Sequence, residues 1–141
     1  MTDFIIIDDD LINNIICFKL IRLTIAGAVV KTFTDPEKGL EYILSTYAGT
    51  DDRNAILFLD INMVLLNGWE VLDRLKSFSA LVKERIKIFM LSSSVNSQDE
   101  EQAGNNALVS GYIIKPLSQA KLQTLFPDFV KSGEVYSGNV Q

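Results

Sequence analysis

Four apolar runs in this chain each end on polar residues that could do chemistry. Phe4 to Ile7 runs into Asp8, Asp9 and Asp10, and Ala55 to Leu59 runs into Asp60. Ile86 to Leu91 ends on Ser92, Ser93 and Ser94, and Tyr112 to Ile114 ends on Lys115 and Pro116. Carboxylates gathered close together repel one another, and a proton or a cation must settle the charge. The chain has no histidine and one cysteine, Cys17, so the available donors are oxygens. Oxygen donors select a hard cation. Magnesium suits them, because it keeps several waters and takes one or two carboxylates plus phosphate oxygens. A magnesium ion, an ammonium and a hydroxyl converging on one carboxylate suit phosphoryl transfer. Asp60 would attack phosphorus, and the cation and Lys115 would neutralise charge on the equatorial oxygens. The missing histidine also excludes His-based zinc sites, Ser-His and Cys-His nucleophile pairs, and a phosphohistidine on this chain.

Residues so far apart in sequence need a frame that brings them together. Short unbroken apolar runs read as strands buried on both faces, which is the parallel-sheet pattern. Val29 to Phe33, interrupted by Lys31 and Thr32, reads as a fifth strand nearer an edge. Helical patterns lie between the runs. Leu11 to Ala26 carries Ile12, Ile15, Ile16, Leu20 and Leu23 on one face. Asp35-Pro36 reads as an N-cap followed by proline in the first turn, with Leu40, Ile43 and Leu44 behind it. Asn67 to Phe78 carries Val71, Leu72 and Leu75, and Ser97 to Glu100 has capping-box spacing. Ser118 would cap a last helix with Leu122, Leu125, Phe126 and Phe129 as its apolar positions. Strand then helix, five times over, predicts an α/β fold: a doubly wound (βα)5 unit around a five-stranded parallel sheet. In such a sheet ligands bind beyond the carboxyl ends of the strands, which is where the polar residues above fall.

Composition narrows the class. The chain has 141 residues, 48% apolar and 22% charged, as expected of one ordinary domain rather than a disordered segment. Residues 1–130 read as that domain and 131–141 as a short polar tail. A formal charge of −5 argues against a general affinity for nucleic acid or an anionic membrane. The longest strictly apolar run, Ala55 to Leu59, is far short of the ~20 residues that span a bilayer. No secretory signal is visible, and a single thiol fits a reducing cytoplasm.

The same residues carry a family resemblance. Phe4-Ile-Ile-Ile-Asp-Asp, Leu57-Phe-Leu-Asp60-Ile-Asn-Met63 with Gly68 eight residues past Asp60, Phe89-Met-Leu-Ser92-Ser and Tyr112-Ile-Ile-Lys115-Pro116 stand in order at characteristic separations. Together they resemble the response-regulator receiver domain of bacterial two-component signalling, of the stand-alone, chemotaxis-regulator-like type, over roughly residues 3–130. The resemblance implies a flavodoxin-like fold and a signalling domain rather than an enzyme. It implies that Asp60 is the phosphoacceptor and that Asp8, Asp9, Asp60 and the main-chain carbonyl of Asn62 hold Mg2+. Lys115 would pair with Asp60 and then with its phosphoryl group, aimed by a cis bond before Pro116. Ser92 would bind a phosphoryl oxygen and Tyr112 would be the aromatic switch, with Gly68 a structural position. The implied partners are a histidine kinase or histidine phosphotransfer protein and a downstream protein reached by contact. Pairing of two copies through the fourth-helix, fifth-strand and fifth-helix face is a further expectation. Val64 departs from the proline usual after the methionine, and Ser92 stands for the commoner threonine. Asn62 and Ser94, where the family tunes autodephosphorylation, are not acidic.

Two other readings compete. Asp8-x-Asp10 after a strand also resembles the first motif of haloacid-dehalogenase-type phosphatases, with Ser92 and Lys115 as later motifs. No acidic pair follows Lys115 to hold magnesium, and that reading leaves Asp60 without a role. The other is a receiver-like module that binds a partner without being phosphorylated. Simpler roles are also open for single residues. Asp8 to Asp10 could cap a helix, Tyr112 could be static core, Trp69 and Met63 could be packing, and Cys17 could be an inert thiol.

Overall fold

The apolar runs become the five strands of the chain's computed structural model, which describes residues 2–49, 52–93 and 95–130. The strands are β1 (Thr2–Ile7), β2 (Val29–Phe33), β3 (Asn54–Asp60), β4 (Ile86–Ser92) and β5 (Val109–Ile114). All pair in parallel, in the order β2-β1-β3-β4-β5, so β2 lies at an edge as its broken apolar pattern predicts. The helices are α1 (Leu11–Thr24), α2 (Pro36–Tyr47), α3 (Gly68–Lys76), α4 (Ser79–Arg85), α5 (Ser97–Gly104) and α6 (Gln119–Leu125). The short α4 adds a helix to the expected alternation. The face expected from the fourth and fifth helices is therefore built by α5, β5 and α6. The proposed tail, 131–141, and Ser94 lie outside the described residues.

Alternate strand residues feed two cores. Ile5, Ile7, Leu57, Leu59, Ile88 and Met90 pack on one face with α2, α3, α4 and α5. Phe4, Ile6, Ile56, Phe58, Phe89 and Leu91 pack on the other with Cys17 and Ile21 of α1, Leu122 of α6 and Phe126 just past its end. Burial on both faces is why these strands read as continuous apolar runs. Truncating any one of these side chains to alanine would cost about 2–5 kcal/mol. At the far end of the sheet the fully buried Asp3 carboxylate accepts from the Tyr47 hydroxyl at 2.7 Å and from Arg53 Nε at 3.1 Å.

The caps mostly follow the sequence. Asp35, Asn67 and Ser118 cap α2, α3 and α6, and Asn67 and Glu70 close a reciprocal capping box. Two expectations need correction. The cap of α5 is Asn96, whose side chain accepts from the amides of Gln98 and Asp99, so Ser97 is the first helical residue. The buried stripe of α1 is Asn14, Cys17, Ile21 and Thr24, while Ile12, Ile15, Ile16 and Leu23 face solvent. The Asn14 amide explains the roll of the helix. It donates to the Asp8 carbonyl at 2.8 Å and is 1% exposed, so α1 is docked by a polar bond to the end of β1. No helix among the described residues is long and apolar enough to cross a membrane.

Candidate functional site

Register brings the polar strand ends together. Ile7 stands opposite Leu59, so Asp8 and Asp60 emerge side by side at the β1/β3 switch in strand order. Asp60 stands opposite Leu91, which puts Ser92 next in line, and Ser92 stands opposite Ile114, just before Lys115. The Lys115 amide donates to the Ser92 carbonyl at 2.7 Å, closing the row. Oxygen atoms of Asp8, Asp9 and Asp60 lie within 4.8 Å of one another. Asp8 and Asp60 are buried and Asp9 is exposed. Three carboxylates with no nitrogen or sulfur donor in the cluster fit Mg2+, a hard cation bound through oxygen. Asp8, Asp9 and Asp60 are the side chains that would hold it.

Lys115 Nζ sits 2.7 Å from Asp8 Oδ2 and 3.3 Å from Asp60 Oδ1, so it bridges both acids and is nearer to Asp8. The expected Asp60 partner is there, but shared. Burial disfavours the ammonium, yet Asp8 and Asp60 outweigh that and hold the Lys115 pKa above its ordinary value. Burial and then the neighbouring Asp8 charge push the Asp60 carboxyl up to about 6. Lys115 and the Asn62 main-chain N–H pull the other way. A carboxylate kept ionised against such an environment is ready to trade its charge for a bond or a cation. The Lys115–Pro116 peptide bond is cis, as the resemblance implies.

Glycine at position 68 is required by closeness. A Cβ there would stand 2.7 Å from the Asp60 carbonyl oxygen and 2.9 Å from Met90 Cε. The start of α3 can therefore rest on the strand end that carries Asp60. Met63 is buried in the adjoining core and Trp69 is half-buried against it, both as packing residues. Asn62 is exposed, two residues past Asp60. Ser92 is fully buried at the end of β4, while Tyr112 is half-buried on β5. Tyr112 lines a groove of about 470 Å3 with Glu100, Ile114, Lys121, Thr124 and Leu125. Asp10 leaves the cluster. It caps α1, accepting from the amides of Ile12 and Asn13 at 3.0 and 3.2 Å. That removes the second acid a phosphatase of the Asp-x-Asp type would need.

Four groups escaped the sequence reading. Asn13 Nδ2 donates to Asp8 Oδ2 at 2.7 Å, sharing that oxygen with Lys115. Asn14 fastens the Asp8 main chain. The Val64 amide donates to Asp9 Oδ2 at 3.0 Å. Lys121 Nζ reaches the carbonyls of Ile114 and Pro116 at 2.6 and 3.0 Å and so braces the segment that carries Lys115. The pair Asn13-Asn14 in an otherwise apolar stretch and the absence of proline at position 64 were the visible signals.

Comparison with known proteins agrees with this geometry. The sequence matches the response regulator receiver domain over residues 4–126. No curated protein matches it. Among solved structures, a two-component response regulator from Cytophaga hutchinsonii is 29% identical, with a TM-score of 0.79 over 92% of this chain and 96% of that one. A response regulator receiver protein from Dyadobacter fermentans is also 29% identical, with a TM-score of 0.80 over 92% and 98% of the two chains. A Borrelia burgdorferi CheY, solved with CheX, BeF3 and magnesium, shares the fold at 23% identity, with a TM-score of 0.71 over 92% of this chain and 90% of that one. With its acid cluster at the β1/β3 switch and a family match over most of its length, the chain belongs to the response regulator receiver domain family.

Proposed function

We propose that this chain, with residues 1–130 as the working domain, is a phosphorylation switch whose acceptor is Asp60. One observation carries the reading: a buried carboxylate, pushed up by burial and by Asp8, lies 3.3 Å from the Lys115 ammonium inside a cluster of three acids. The donor fitting the receiver family is a phosphohistidine on a histidine kinase or histidine phosphotransfer protein; this chain, with no histidine, cannot supply one itself. An Asp60 carboxylate oxygen attacks phosphorus, the P–N bond to the donor imidazole breaks, and the imidazole leaves with the bonding pair. Asp8, Asp9, Asp60 and the Asn62 carbonyl would hold Mg2+, which when bound would supply positive charge for the phosphoryl oxygens. Lys115 moves its ammonium from the acids toward the same oxygens, and the Ser92 hydroxyl donates to one of them. Asn13 stays on Asp8 Oδ2 when Lys115 departs, so that buried oxygen keeps a donor.

A protein donor is supported by the surface around the site. Leu11, Ile12, Ile15 and Ile16 are 46–68% exposed on the helix that follows the acids, and Val64 and Leu65 are exposed on the loop bonded to Asp9. Solvent-facing apolar groups in that number favour burial against another protein. The added phosphoryl charge, about −1.5 to −2, would then shift Ser92 and Tyr112 and alter the α5-β5-α6 face that a downstream protein, or a second copy, would read. Cytoplasmic function in a bacterial two-component relay completes the reading.

Intact mass after incubation with Mg2+ and acetyl phosphate tests it, beside Asp60→Asn and Asp8→Asn. One acid-stable, base-labile phosphoryl adduct, lost in Asp60→Asn, is the expected result. An adduct that survives Asp60→Asn but is lost in Asp8→Asn would point to phosphatase-like chemistry. No adduct, with Mg2+ binding confirmed, would leave a phosphorylation-independent module.

A further inference from the structure

We propose that the main-chain N–H of Val64 is a positioning group for the cation site, an inference that rests on the Mg2+-binding reading above. The N–H donates to Asp9 Oδ2 at 3.0 Å. Asp9 is the exposed member of the cluster, whereas packing already restrains Asp8 and Asp60. An exposed carboxylate loses rotamer freedom when it takes up a ligand, and a donor that fixes it beforehand removes that cost. In the fixed position its oxygen lies within 4.8 Å of those of Asp8 and Asp60. A carboxylate offers about four lone-pair sites, so one N–H on Oδ2 leaves room for a cation. Outer donors of this kind commonly set the geometry of metal-binding side chains.

The bond also ties two cation-binding segments together. Asp9 follows β1, and Asn62, whose carbonyl is the fourth proposed donor, follows β3. The β3–α3 loop is fastened at its ends. The Ile61 amide donates to the Leu91 carbonyl at 3.0 Å, and the Gly68 amide donates to the Ile61 carbonyl at 2.8 Å. Between these ends the Val64 side chain is 92% exposed, so packing does not hold the residue against Asp9. The amide is the functional part of Val64. Proline at this position would have no N–H to donate.

Because the donor is main chain, alanine keeps it and proline removes it. Isothermal titration calorimetry with Mg2+ on the full chain is expected to give Val64→Ala the wild-type Kd. Val64→Pro should bind roughly threefold to tenfold more weakly, the range of one net hydrogen bond. Equal affinity in all three proteins, tighter binding by Val64→Pro, or equal weakening in both variants would overturn the proposal. Amide hydrogen exchange without Mg2+ gives a reading that does not depend on Val64→Pro folding. The Val64 N–H should be protected in the wild type and lose protection in Asp9→Ala. Fast exchange in the wild type would overturn the proposal. A wild-type chain that binds no Mg2+ would overturn the cation reading together with it. A wild-type chain that binds Mg2+ with an unaffected Val64→Pro would overturn this proposal alone.

Discussion

The Asp60→Asn substitution should stabilise the metal-free chain, although it removes the proposed acceptor. Asp60 is 3% exposed, and burial with the Asp8 charge raises its carboxyl from 3.8 to about 6. A shift of about two units corresponds to roughly 3 kcal/mol of differential stability between the two protonation states. The sign follows from proton counting. Between about pH 4 and pH 6 the folded state holds the Asp60 proton more tightly than the unfolded state. Stability from this group is present below pH 4 and is lost as pH rises through 6. At pH 7.5 the folded chain carries the whole penalty, and asparagine removes it while its carbonyl can still accept from Lys115 and the Asn62 amide. Lys115 keeps its closer partner, Asp8, at 2.7 Å. The new amide must still fit among acceptors already shared, so a gain of about 2 kcal/mol, or roughly 8 °C in Tm, is expected at pH 7.5. The assay is urea or thermal unfolding in EDTA at pH 4 and pH 7.5. The gain should shrink toward zero at pH 4, and saturating Mg2+ at pH 7.5 should narrow it, because an ion held by the proposed site would stabilise the wild type by mass action. A variant no more stable than the wild type at pH 7.5, or a gain of equal size at both pH values, would refute the assignment of the strain to the Asp60 charge.

Three further substitutions or treatments test other parts of the frame. Gly68→Ala puts a methyl 2.7 Å from the Asp60 carbonyl, so it should cost about 1–3 kcal/mol in urea unfolding and slow acetyl-phosphate labelling of Asp60. Labelling at the wild-type rate would show that the approach of α3 does not position the acceptor. Tyr47→Phe removes the hydroxyl that donates to the buried Asp3 carboxylate, and a loss of about 2 kcal/mol is expected by the same method. A loss below the resolution of the melt would mean that Arg53 alone satisfies Asp3. Burial, followed by the Asp8 charge, pushes the Cys17 thiol up to about 11, and the residue is 2% exposed. Native protein should therefore resist iodoacetamide at pH 8 and react once unfolded in urea, and prompt labelling of the folded chain would contradict the burial of α1's inner stripe.

The strands and the acid cluster were legible for a simple reason. A strand buried on both faces must be apolar throughout, so Phe4 to Ile7 and Ala55 to Leu59 mark their own ends, and parallel register sets Asp8 beside Asp60. Helix faces were less legible. Counting apolar residues on α1 favoured Ile12, Ile15, Ile16 and Leu23, yet one Asn14 amide bonded to the end of β1 turned the helix the other way. The helix α4 was missed because the Val71, Leu72 and Leu75 pattern fades after Lys76, although Val82 of α4 packs into the first core. Within the site, residue types announced the carboxylates and the lysine but not their partners. Asn13 and Lys115 meet on one oxygen of Asp8 only after α1 and β5 have been placed. The Val64 amide is harder still to foresee, since a main-chain donor leaves no trace in residue type except the absence of proline. The chemistry of this site is thus written in side chains, and its alignment in the main chain that carries them. A substitution that keeps every acid can still weaken the proposed cation site by removing the main-chain donor that holds Asp9.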